Sequence, residues 1–328
     1  MKKTLAIIIS AFLIMALALS ACAGNKGTDD TTAIKKIGIS QYGEHPSLDN
    51  CRIGFIQGLE EAGLKEGTDF EIIYQNAGFD DNVTIQIAQS LASQNVDIMC
   101  GVATPSATAC FAEAEDKDIP VIFIAISDPV EAKLDKGNVT GTSDKLPVTA
   151  QLDLIRKLQP DAKTIGIIYT TSEPNSVSTI RDYEANAADY GFVIEAVGVT
   201  SQAEVTQAVD TLLNKGVDCF SNLTDNNVVG VLASILEKTN EAGIPVYGSE
   251  VEQVKIGCVA SAGIDYVKLG IQTGQIAARI LRGEATAEEI PYETISEYGI
   301  YINSAAADAN GITIPEEIRD VAIESQAE

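Results

Sequence analysis

Two kinds of chemistry-bearing group recur in the short polar segments of this sequence. The first is a proline flanked by hydroxyls, as in Thr104-Pro105-Ser106. Proline suits the first turn of a helix, where its missing N–H is no loss. The free N–H groups of such a turn, with two hydroxyls beside them, can hold a carboxylate. The same residues also serve as a plain helix cap. The second kind is a carboxylate just after an apolar run: Asp128, Asp225 and Glu250. Each can accept from an ammonium through a charge-assisted hydrogen bond, or can cap a helix. Asp225 stands out, because Thr224, Asn226 and Asn227 surround it with polar groups. Anion donors facing carboxylates are what a zwitterion requires. Gln41, Tyr42, Ser127, Asn175 and Ser176 lie in equivalent segments and join the candidate set. Tyr42, Phe79 and Tyr247 offer rings, either to a ligand or to the core.

Other chemistries find little support. The single histidine, His45, sits beside Pro46 with no partner arrangement for base catalysis. One histidine and no CxxC spacing argue against zinc. No GxGxxG follows a strand, and no P-loop, GxSxG or HExxH occurs. The expectation is a binder with neither enzymatic activity nor cofactor.

The elements that must position these residues alternate. Ile37-Gly38-Ile39, Phe70 to Tyr74, Val96 to Cys100 and Val121 to Ala125 read as strands, and Asp49 to Glu61, Asn82 to Gln94 and Ser106 to Asp116 as helices. Nearly continuous apolar strands alternating with helices predict an α/β fold whose parallel sheets are covered on both faces. In such sheets ligands bind at the carboxyl ends of the strands, where the candidate residues fall. The pattern then repeats. Gly38, Pro46 and Gly63 have the same spacing as Gly166, Pro174 and Gly191, Val96-Asp97 matches Val217-Asp218, and Ile119-Pro120-Val121 matches Ile244-Pro245-Val246. Matches in the same order predict two Rossmann-like lobes of one design. Asp265 to Arg282 reads as an amphipathic helix returning to the first lobe, Tyr292 to Asn303 as extended chain, and Pro315 to Ile323 as a short helix. The expected division is 35–145 plus 263–290 for the first lobe and 146–262 plus 291–328 for the second.

The amino terminus speaks to location. Lys2 and Lys3 precede the apolar run Leu5 to Leu19, and Leu19-Ser20-Ala21-Cys22 closes it. Positive, apolar, then small is the order of a secretory signal, here residues 1–22. The run is shorter than the ~20 residues of a spanning helix. Cleavage before Cys22 would expose a thiol for lipid attachment, with more than one acyl chain, such as palmitate, needed for a firm anchor. Residues 23–34 read as a flexible tether. The net charge of −25, with no basic cluster after the signal, argues against nucleic acid. Cys51, Cys100, Cys110, Cys219 and Cys258 have mostly apolar neighbours and read as small buried hydrophobes.

Gln41 to Leu59, with His45-Pro46-Ser47-Leu48-Asp49 and Gly54-Phe55-Ile56-Gln57-Gly58-Leu59, resembles the ABC-transporter substrate-binding lipoproteins of the tryptophan/tyrosine-binding type. Ala103 to Ser106, Ser127 to Val130, Glu173 to Ser176, Thr224 to Asn226 and Gly248 to Glu250 are similar to further landmarks of that family. The resemblance implies a type I periplasmic-binding fold, its lobes joined by crossing hinge strands. It implies a monomer, lipid-anchored in the cell membrane on the extracellular or periplasmic side, that hands a small solute, often an aromatic amino acid, to a membrane permease. A sensor module for a signalling receptor, or a binder of a neutral nucleoside or sugar, is the alternative. On this chain the resemblance sets Thr104, Ser106 and Ser176 at the ligand carboxylate and Asp225, with Glu250, at its ammonium. Asn227 stands where a hydroxyl residue is expected.

Overall fold

The computed structural model describes residues 33–295 and 298–326. The expected signal, Cys22 and nearly all of the tether lie outside these residues. Among the described residues, no helix is long and apolar enough to cross a membrane.

The chain begins with strand β1 (Lys35–Gln41), helix α1 (Pro46–Glu61), β2 (Phe70–Asn76), α2 (Asp81–Ser93), β3 (Ile98–Val102), α3 (Thr104–Ala114), β4 (Val121–Ile124) and β5 (Val139–Ser143). All pairings are parallel, in the order β5-β4-β3-β1-β2. Strand β3 shows why this sheet needs helices on both faces. Ile98 and Cys100 point into one apolar cluster with Phe55 and Leu59 of α1, and Met99 points into another with Leu91 and Ala107. A strand buried on both faces reads as a continuous apolar run.

The second lobe follows: α4 (Val148–Leu158), β6 (Thr164–Thr170), α5 (Pro174–Asn186), β7 (Val193–Val199), α6 (Gln202–Lys215), β8 (Cys219–Ser221), α7 (Asn226–Val229), α8 (Leu232–Ala242), β9 (Val246–Tyr247), α9 (Val251–Ile256) and β10 (Ala260–Gly263). Its parallel sheet has the order β7-β6-β8-β9. Backbone bonds from Val259 to Val246 and from Gly248 to Ala260 attach β10.

Helix α10 (Tyr266–Leu281) then packs on α1 of the first lobe. The two helices meet at glycines. A Cβ on Gly54 or Gly58 would lie 2.1 Å from the carbonyl oxygen of Val267 or Ile271, and one on Gly270 or Gly274 would lie 2.3 or 2.2 Å from that of Cys51 or Phe55. Strand β11 (Glu293–Thr294) follows and pairs with β5, completing a six-stranded sheet. This corrects the expected boundary: Glu293 and Thr294 were assigned to the second lobe, but their backbone joins the free edge of β5. The chain then crosses back, and β12 (Gly299–Ile302) pairs antiparallel with β10 and parallel with β13 (Ile323–Glu324). The chain therefore passes between lobes three times: after β5, after β10 and after β11. The five described cysteines are all free and buried.

Candidate functional site

The carboxyl ends of both sheets face one interlobe cleft, and polar contacts close it. Ser47 Oγ donates to Glu250 Oε1 at 3.0 Å, and Asn50 Nδ2 to Glu252 Oε1 at 2.9 Å. Ser178 Oγ donates to Asp128 Oδ2 at 2.6 Å, and the Ser127 and Thr224 hydroxyls lie 3.2 Å apart. Arg181 to Glu131 at 3.2 Å and Lys145 to Asp182 at 3.4 Å add ion pairs at the rim.

Three long helices start at this cleft with proline in their first turn and no side-chain cap: α1 after His45, α3 after Ala103 and α5 after Glu173. Ala103 adopts a left-handed φ of 75°, which turns the chain sharply off β3. Uncapped first turns leave N–H groups available to an anion. Beside them lie buried polar atoms with no hydrogen-bond partner in the protein: Thr104 Oγ1, Gln41 Oε1, Asn175 Oδ1 and both ring nitrogens of His45. Such atoms are costly unless something pairs with them. The His45 ring lies parallel to Phe79, centroids 6.3 Å apart at 6°. Burial pushes its pKa down to about 4, so the imidazole is neutral at physiological pH. Tyr42 meets Phe79 edge-on at 5.8 Å, and its hydroxyl donates to Asp81 at 3.0 Å. Tyr42, Thr104, Pro105, Ser172, Glu173 and Pro174 line a groove of about 410 Å³ between the lobes.

The other expected residues divide by their hydrogen bonds. The four donors to Asp225 are the Thr170 N–H (2.5 Å) and hydroxyl (2.8 Å), the Ser176 hydroxyl (2.7 Å) and the Val228 N–H (2.9 Å). A carboxylate offers about four lone pairs, so Asp225 is saturated within its own lobe. The Ser176 hydroxyl proton is engaged in the same network. The geometry thus gives Asp225 the work of capping α7 and tying it to β6. Asp128 caps Glu131 N–H at 3.0 Å while accepting from Ser178, so it acts at the lobe junction. Burial raises its pKa, but those bonds and the nearby Lys145 charge together hold it below the ordinary aspartate value. Ser106 accepts from Ser40 at 3.2 Å. Tyr247 is core: its ring is fully buried.

Two carboxylates escaped the sequence reading. Glu173 is buried and accepts from the Asn175, Asn226 and Asn227 side-chain amides at 3.1, 2.7 and 2.9 Å, and from the Asn226 N–H at 3.1 Å. It braces the loops after β6 and β8, and Asn227 belongs to this brace. Burial and the neighbouring Asp225 push the Glu173 pKa up. Its signal was its place before Pro174, matching His45 before Pro46. Asp144 follows β5 on the first crossing, accepting from Ser127 Oγ at 2.9 Å and from Tyr266 OH at 2.5 Å.

A small cavity of about 20 Å³ lies in the cleft, lined among others by His45, Ser47, Asp144, Thr224, Asn226 and Glu250. That is room for one small polar group.

The model of the family described as ABC transporter substrate binding protein matches residues 36–326. A tyrosine-binding protein of Clostridioides difficile (strain R20291) is 39% identical over 319 residues, 92% of this chain and 90% of that protein. Among solved structures, an ABC domain in complex with L-Trp from Streptococcus pneumoniae superposes with a TM-score of 0.85 at 33% identity, covering 89% of this chain and 100% of the other. A ligand-free, open substrate-binding protein with adhesive properties from Clostridium difficile reaches 0.67 at 37% identity, covering 89% of this chain and 100% of that one. In this chain the interlobe bonds from Ser47, Asn50 and Ser178 hold the two sides of the cleft together.

Proposed function

This chain belongs to the ABC transporter substrate-binding proteins, and from that premise we propose that it captures an aromatic L-amino acid for an importer. The observation that carries this reading is the meeting, at one interlobe cleft, of three uncapped helix starts with buried, unpartnered polar atoms beside an aromatic wall. The helix starts and Thr104 suit an α-carboxylate, and Phe79 with the neutral His45 ring suits an apolar, aromatic side chain. The two relatives named for tyrosine and L-Trp support the class.

The test is a thermal-shift and calorimetric screen of the full chain against the amino acids. An aromatic ligand at 100 times its Kd stabilises by about 2.7 kcal/mol. A screen in which tyrosine, tryptophan and phenylalanine all leave the melting temperature unmoved, while a sugar or nucleoside raises it, would sink the reading.

The chain acts, on this reading, outside the cytoplasmic membrane as a monomer beside its permease, anchored through lipid on Cys22. The order Leu19-Ser20-Ala21-Cys22 supports the anchor. Cys22→Ala should shift the protein from the membrane fraction or block its processing; unchanged processing with retention in the membrane would overturn it.

A further inference from the structure

Asn175 follows Pro174 in the first turn of α5 and is buried. Its amide nitrogen donates to Glu173 Oε2 at 3.1 Å, to the Thr224 carbonyl oxygen at 3.2 Å and to Ser176 Oγ at 3.3 Å. A carboxylate and a carbonyl can only accept. Turning the amide over would set its oxygen against both, so its orientation is fixed. Glu173 is itself held in place, because Asn226 and Asn227 donate to both of its oxygens. The carbonyl oxygen of Asn175, Oδ1, is left buried with no hydrogen-bond partner among the described residues. Such an atom is costly until something donates to it.

Two observations place this residue at the cleft. The repeat of the two lobes sets Pro174-Asn175 where Pro46-Ser47 stands in the first, and Ser47 lines the small cavity. Thr224, whose carbonyl takes the Asn175 amide, lines the same cavity. On the other side, Glu173 and Pro174 line the groove of about 410 Å³, whose further walls include Tyr42, Ile85, Pro105 and Ala109. Those walls are largely apolar and suit the faces of a ring. Asn175 thus stands between the groove and the cavity.

We propose that the Asn175 carbonyl is a specificity-determining group that accepts from a donor on the ligand's ring, so that the site selects aromatic amino acids bearing a phenol O–H or an indole N–H over phenylalanine. This rests on the aromatic amino-acid reading. A neutral acceptor suits a neutral donor, whereas a buried ammonium asks for an ionised partner. Thr104 and His45 discriminate less, since a hydroxyl or a neutral imidazole can donate or accept. An amide oxygen held in one orientation has no such choice. A ligand that brings no donor leaves it desolvated and unpaired, and a site built in this way rejects the analogue that lacks the donor.

The experiment compares L-tryptophan with benzothienyl-L-alanine, in which sulfur replaces the ring N–H at nearly the same shape. In calorimetry on the full chain, wild type should bind L-tryptophan at least about tenfold more tightly. Asn175→Ala leaves the Asn226 and Asn227 bonds to Glu173 in place, and its melting curve checks the fold. In this variant the two affinities should come within about threefold, through a loss for L-tryptophan and little change for the analogue. A merely structural part for Asn175 would weaken both ligands alike and leave their ratio unmoved. Should alanine unfold the chain, Asn175→Leu, of nearly the same shape and without an acceptor, takes its place. Wild type binding both ligands within about threefold overturns the inference with no variant needed, and leaves the aromatic amino-acid reading standing. A preference kept at about tenfold or more in the folded variant overturns it as well. If wild type binds no aromatic amino acid at all, the proposed function falls and this inference falls with it.

Discussion

Replacing Asp225 by alanine separates its two candidate uses by their different signatures. As a ligand contact, its loss would cost affinity and leave the fold intact. As the structure has it, the carboxylate satisfies two buried backbone N–H groups, those of Thr170 and Val228, and two hydroxyls. Hydroxyls can rotate to other acceptors, whereas the two N–H groups are left without partners at about 1–3 kcal/mol each. Loss of the cap on α7 falls within the same count. Relief of a buried charge next to Glu173 offsets part of this, since burial raises the Asp225 pKa. A net loss of about 2–4 kcal/mol follows. At about 2–4 °C per kcal/mol for a lobe of this size, the melting temperature should fall by roughly 4–16 °C. Calorimetric unfolding in parallel with ligand titration reads both quantities. A melting temperature within about 2 °C of wild type, with affinity reduced more than about a hundredfold, would refute the structural assignment and return Asp225 to the ligand.

The raised Glu250 carboxyl makes ligand-free stability depend on pH. Folded Glu250 keeps its proton up to about 7 while the unfolded chain releases it near 4.5, so its contribution is present below pH 4.5 and lost as pH rises through 7. Melting temperatures of the ligand-free protein should therefore decline between pH 5.5 and 8, and Glu250→Gln should flatten that slope. Gly58→Ala would set a methyl 2.1 Å from the Ile271 carbonyl oxygen and force α1 off α10. Its cost should be about 1–3 kcal/mol or more, read as an earlier urea midpoint. Arg181→Ala removes a rim ion pair whose partners are both about half exposed. Ligand affinity should change by no more than about fivefold, and the change should vanish in high salt; a larger, salt-independent loss would make Arg181 part of the binding site.

The elements that were legible are those whose burial writes itself into composition. Strands β3 and β4 are apolar and buried along their whole length, and three helices announce their first turns with Pro46, Pro105 and Pro174. Strand β5 was not legible. It reads Val-Thr-Gly-Thr-Ser, and the hydroxyl of its buried Thr142 finds its partner in Thr273 of α10 at 2.6 Å, 131 residues away. With β5 unseen, Asp144 at its end could not be placed at a strand terminus. Loop position brought the candidates to one cleft, but it could not tell a free carboxylate from a saturated one. Asp225 and Glu250 look alike in sequence. They differ in how many donors the tertiary fold aims at them.

The first lobe is not contiguous in the chain, and this bears on the order of folding. The apolar face formed by Ile39, Phe55 and Leu59 is completed by Leu269, Ile276 and Ala277 of α10. Until α10 is available, glycines 54 and 58 of α1 have no helix to meet. Closing that loop across the whole second lobe makes a late, non-local step. The second lobe, from α4 to β10, has most of its contacts in hand earlier, although β12 and β13 still complete its edge. A chain released from the amino terminus onward therefore keeps its first half incompletely packed until about residue 281 has emerged. Refolding should show the face of α1 acquiring hydrogen-exchange protection only together with α10, however early α1 itself becomes helical.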